Sequence, residues 1–110
     1  MNLADRKEGD VLVLLLEGRL DGTTTPEFQE KLLGFIAAGE STIVLDCSQL
    51  SFVSSVGLRS LILAAKKLKA GSGTMVLASM ADMIKEVFEI AGFLTIFPIH
   101  DSVEDAVNGL

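Results

Sequence analysis

Two adjacent serines, Ser54 and Ser55, sit where an amphipathic helix begins, and their position gives them chemistry to do. A serine hydroxyl at a helix N-terminus caps free backbone N–H groups. The same end tolerates a phosphate, because those N–H groups and the helix dipole favour negative charge. The pair therefore offers helix capping, and acceptance of a phosphoryl group on a rigid scaffold. Asp21, Asp46 and Asp82 could meet near one sheet edge, but strand-end aspartates ordinarily cap loops and turns.

The other reactive side chains are few. His100, beside Asp101, reads as a loop histidine near a helix cap. Cys47 is the sole cysteine and ends an apolar run, so a buried, reduced thiol is expected. There is no Cys/His cluster for zinc, no phosphate loop and no dinucleotide-binding glycine pattern. One histidine and one inert thiol do not assemble a hydrolase triad. No arrangement of these residues needs a catalytic explanation, and no metal or cofactor is expected.

The 110 residues suffice for one domain, spanning 1–110, with a single core. Nearly half are apolar, which excludes a disordered chain. No apolar run reaches the roughly 18 residues of a membrane span, and Met1–Asp5 lacks the blocks of a signal peptide. A cytoplasmic protein is expected. The net charge of −6 argues against nucleic acid as a partner. That charge is uneven: Arg59, Lys66, Lys67 and Lys69 give segment 47–81 a charge of +4, leaving −10 in the rest. The lysines complement a helix C-terminus, or serve a partner. Arg59 lies near the start of the helix, where the dipole gives it no help, so it is assigned to a partner.

The positioning elements follow from periodicity. Leu3–Lys7 and the apolar Val11–Leu16 read as a hairpin about Glu8-Gly9-Asp10, with a loop over 17–22. Thr24 with Glu27 fits a capping box, and Thr25 before Pro26 is an equal alternative. Phe28, Leu32, Phe35 and Ile36 then recur at helical spacing up to Gly39. Thr42–Asp46 is the next strand, followed by a loop. Leu58, Leu61, Ile62, Ala65 and Leu68 mark the second helix, and Thr74–Ala78 a strand. Met83, Ile84, Val87 and Ile90 mark a third helix, Leu94–Phe97 a short strand, and Asp101 or Ser102 caps a last helix. Strands alternating with helices after a hairpin imply an α/β fold with a mostly parallel or mixed sheet. Val56, Arg59, Leu63 and Lys66 fall on the second helix opposite its core stripe. They form a small docking surface, apolar at its centre with a positive rim.

Val53-Ser54-Ser55-Val56-Gly57-Leu58-Arg59 resembles the signature loop of bacterial anti-sigma factor antagonists, the STAS domain family. Ile43-Val44-Leu45-Asp46 and Gly18-Arg19-Leu20-Asp21 match its layout, and the resemblance spans essentially the whole chain. It implies a mixed sheet of about five strands with about four helices packed against it. It also implies partner switching. The dephosphorylated antagonist binds an anti-sigma factor, often a serine kinase of the histidine-kinase-like ATPase type, and releases a sigma factor. Phosphorylation separates the pair, and a serine phosphatase resets it. A monomer that forms hetero-complexes is the expected state. The phosphorylated position falls on Ser55. Ser54 stands where the family often has aspartate, making it a second acceptor, and Val56 where it often has serine or threonine. Gly57 matches the motif glycine, which lets a partner or neighbouring loop approach closely, and Asp21 the loop aspartate near the phosphosite. A second reading is a STAS subunit serving a membrane transporter or a lipid-transport ATPase.

Overall fold

A computed structural model describes residues 1–93 and 96–110. Strands β1 (Asn2–Glu8) and β2 (Val11–Leu20) form the opening hairpin, followed by α1 (Thr25–Ala37) and β3 (Thr42–Val53). Then come α2 (Ser55–Ala70), β4 (Thr74–Ala78), α3 (Asp82–Ile90), β5 (Ile99–His100) and α4 (Val103–Asn108). The sheet order is β1-β2-β3-β4-β5. β1 pairs antiparallel to β2, and every later pairing is parallel.

Helices cover both faces of this sheet, which is why Val11–Leu16, Ile43–Leu45 and Met75–Ala78 are apolar without interruption. Successive side chains alternate between the faces. Leu12, Leu14, Leu16, Ile43, Leu45, Met75 and Leu77 point into the main core with α1, α2 and α3. Val13, Val44, Val76 and Ala78 point the other way and pack on Ala106 of α4. At about 25 cal/mol per Å² of apolar surface, each fully buried Leu or Val is worth roughly 1.5–3 kcal/mol.

Several sequence expectations are corrected. The loop expected over 17–22 is strand as far as Leu20, and the loop expected after Asp46 is strand as far as Val53. Gly18, at φ +110°, lets β2 pass through two register shifts and resume pairing at Arg19↔Phe52 and Leu20↔Val53. The capping box does not form. The Thr24 hydroxyl accepts from the Asp21 N–H (2.9 Å) and donates to the Arg19 carbonyl (2.7 Å). Nor does Thr25 cap: it is helical, and its buried hydroxyl has no partner. The third helix marked by Met83, Ile84, Val87 and Ile90 forms as α3, and its buried positions are Ile84 and Phe88. Phe88 packs edge-to-face on Phe97 (6.2 Å, 77°). Of the strand expected over Leu94–Phe97, Leu94 and Thr95 lie outside the described residues. Ile96 and Phe97 form turn and bend, and the strand follows Pro98. His100 is therefore in a strand, paired with Ala78. Ser102, rather than Asp101, caps α4 through the Asp105 N–H (3.0 Å).

Candidate partner-binding site

The β3–α2 junction is fastened to the end of β2. The Ser54 N–H donates to the Leu20 carbonyl at 2.9 Å. The Ser54 side chain then caps α2, accepting from the Gly57 N–H at 3.3 Å. Its hydroxyl is thus engaged and half-buried, whereas Ser55, the first helical residue, is exposed. Gly57 is buried. A Cβ there would lie 2.8 Å from Leu20 Cγ and 2.9 Å from the Leu20 carbonyl oxygen. The close approach this glycine allows is by β2 of its own chain, so Gly57 seats the helix and presents no surface to a partner.

Asp21 follows Leu20 directly. Its Oδ1 accepts from the Thr23 N–H (3.0 Å), the Thr23 hydroxyl (2.8 Å) and the Thr24 N–H (3.2 Å). The Thr23 bonds above all, with those from Thr24, hold its carboxyl down at about 2, against an ordinary value of 3.8. Asp21 is therefore a fixed negative charge on the loop adjoining the start of α2. Its Oδ2 lies 3.6 Å from Arg19 Nε, and the Arg19 guanidinium covers the Phe52 ring at 4.1 Å. Sequence reasoning missed Arg19 and Phe52 as neighbours of the site. The strand extension that makes them Cα partners depends on the irregular pairing after Gly18.

Along α2, Val56 (39%) and Leu63 (52%) are exposed, as are Arg59 and Lys66. The described ion pairs are Arg6–Glu8, Lys7–Glu40, Arg19–Asp21 and Lys31–Asp5. None involves α2, so its four cations have no acidic partner among the described residues. An exposed cation next to an exposed apolar side chain is suited to a partner that supplies both carboxylates and apolar surface.

Asp21, Asp46 and Asp82 form no common cluster, and no group of metal-ligating side chains occurs among the described residues. Asp46 instead accepts from the Ser48 N–H (3.0 Å). Cys47 is buried, and burial, reinforced by Asp46, pushes its thiol up to about 12. No helix among the described residues is long and apolar enough to cross a membrane.

The STAS domain profile matches residues 2–106. A Bordetella bronchiseptica protein named as a candidate anti-sigma factor antagonist, BtrV, is 37% identical over 106 residues, covering 96% of this chain and 91% of that one. The crystal structure of a candidate anti-sigma factor antagonist from Thermotoga maritima superposes with a TM-score of 0.93 at 19% identity, covering 97% and 92% of the two chains. The Bacillus cell fate determinant SpoIIAA in its phosphorylated form superposes with a TM-score of 0.76 at 22% identity, covering 97% of each chain.

Proposed function

The chain belongs to the STAS domain family, and we propose that it acts, as one domain over 1–110, as a cytoplasmic anti-sigma factor antagonist switched by phosphorylation of Ser55. The role is regulatory binding, not catalysis. The observation that carries this reading is the division of labour between the two serines. Ser54 is occupied as the helix cap, while Ser55 is exposed at the edge of an apolar, cationic surface. That relation favours Ser55 over Ser54 as acceptor. A relative of the same fold is described in a phosphorylated form, which agrees with a phosphate on this scaffold.

In the dephosphorylated state the partner, an anti-sigma factor that is also an ATPase-type serine kinase, rests on Val56, Arg59, Leu63 and Lys66. A phosphate on Ser55 adds about −1.5 to −2 charges and three acceptor oxygens. The α2 N-terminus accommodates it without unfolding. Its charge cancels the cations that attract an acidic partner and adds to the fixed charge of Asp21. Each 1.4 kcal/mol lost at the interface is about tenfold in affinity, so one phosphate is enough to separate the pair. A serine phosphatase restores binding.

The test is a pull-down with wild type, Ser55→Asp and Ser55→Ala as baits, read by mass spectrometry. Recovery of an ATPase-type anti-sigma factor by wild type and Ser55→Ala, and its loss with Ser55→Asp, is the expected result. Recovery of transporter subunits or a lipid-transport ATPase, indifferent to the substitutions, would instead assign the chain to transport and leave Ser55 a helix residue only.

A further inference from the structure

Helix α3 carries an apolar stripe that the fold leaves uncovered. Met83, Val87 and Ile90 recur at spacings of four and three, so they share one side of the helix. Met83 is 80% and Ile90 79% exposed. The core side of α3, Ile84 and Phe88, lies about a third of a turn away. Asp82, Glu86 and Glu89 repeat the same spacing in the row beside the stripe, with Lys85 beyond them. None of these acids is in an ion pair among the described residues.

The outward face of α2 is its counterpart in both respects. Val56 and Leu63 are seven residues apart, and so are Arg59 and Lys66 beside them. Each stripe therefore runs about 10.5 Å at 1.5 Å per residue. The charged rows are opposite in sign. Both helices pack on the same face of the sheet through one core, so the two stripes belong to one layer of the molecule.

We infer that the chain pairs with a second copy of itself about a two-fold axis, α2 of each copy lying along α3 of the other. Such a pairing makes both complementary contacts at once and closes on itself. Val56 and Leu63 cover Met83, Val87 and Ile90, while Arg59 and Lys66 face Glu86 and Glu89. The net charge of −6 on each copy opposes approach, so the affinity is modest. At about 0.15 M salt, with a Debye length of about 8 Å, the long-range repulsion is screened more than the contact pairs. The monomer expected from the sequence is then the dilute form. The pair covers the α2 surface beside Ser55, so a second copy and a partner on that surface exclude each other. The inference itself does not depend on phosphorylation, and the purified chain alone tests it.

Sedimentation velocity in about 0.15 M salt, up to about 1 mM protein, should show a concentration-dependent dimer. Arg59→Glu and Glu86→Lys each oppose like charges at both contacts, so a tenfold loss per contact weakens the dimer about a hundredfold. An equimolar mixture of the two variants restores dimerisation, because in the mixed pair one contact keeps its charges and the other has both reversed. Ile90→Ser, at an exposed position, weakens the dimer and leaves thermal unfolding of the monomer in place. A monomer at every concentration, a mixture no tighter than either variant alone, or a dimer indifferent to all three substitutions would overturn the inference.

Discussion

Replacing Gly57 by alanine adds one methyl group where the helix start meets Leu20. That methyl would stand 2.8 Å from Leu20 Cγ and 2.9 Å from the Leu20 carbonyl oxygen. Neither atom is the free end of a flexible chain. Cγ is the branch point of a fully buried side chain, and the oxygen is backbone already accepting from the Ser54 N–H. Over-packing of this kind costs about 1–3 kcal/mol. Alanine returns up to about 1 kcal/mol in helix propensity, less in a first turn than in a helix interior. The net is a destabilisation of about 1–2 kcal/mol, or roughly 4–8 °C in Tm for a chain of this length. Gly34 supplies the control: it lies inside α1, and a Cβ there meets nothing within 4 Å. Gly34→Ala should therefore stabilise by about 0.5–1 kcal/mol. Urea unfolding of the two variants beside wild type gives both signs in one experiment. If Gly57→Ala proved as stabilising as Gly34→Ala, the contact with Leu20 would not be the reason for glycine at 57.

The same junction yields two further expectations. Ser54→Ala should cost about 1 kcal/mol through loss of the cap, while Ser55→Ala should change stability by less than about 0.5 kcal/mol as an exposed substitution; equal costs in chemical denaturation would contradict the division of roles. Asp21 has its folded pKa lowered from 3.8 to about 2, so its contribution to stability is complete above the unfolded value and disappears as pH falls through about 2. A carbon-detected NMR titration should place the Asp21 midpoint near 2, and Asp21→Asn should flatten the stability profile between the two values. A midpoint at 3.8 would refute the hydrogen-bonded loop.

The elements with strong periodicity were legible. β4 falls at Thr74–Ala78 as read, and the hairpin turns at Gly9-Asp10. The Leu58, Leu61 and Leu68 side of α2 is buried. What escaped were elements whose pattern is set by neighbours. Ser48, Gln49 and Ser51 look like a loop in isolation, yet they lie within β3, which β2 follows through Gln49, Leu50, Phe52 and Val53, with Leu20, Leu50 and Val53 buried. In α3 the apolar residues occupy two sides of the helix, and the buried one is that of Ile84 and Phe88, which join the main core, Phe88 packing on Phe97. The serine pair was legible from type and position, but which serine caps α2 depends on the bond to the Gly57 N–H. Arg19 on Phe52 required knowing where two strands resume their pairing.

The strands lie in the sheet in the order in which they occur along the chain. During synthesis each new strand can therefore join an edge that already exists, and none has to insert between two earlier ones. The helix layer over the main core accumulates with them. The opposite face is different, because Val13, Val44 and Val76 pack against Ala106, Val103 and Val107 of α4. A nascent chain halted before Val103 holds a nearly complete sheet with one apolar face bare. Apolar surface of that kind is prone to aggregate, and the six residues of α4 cover it.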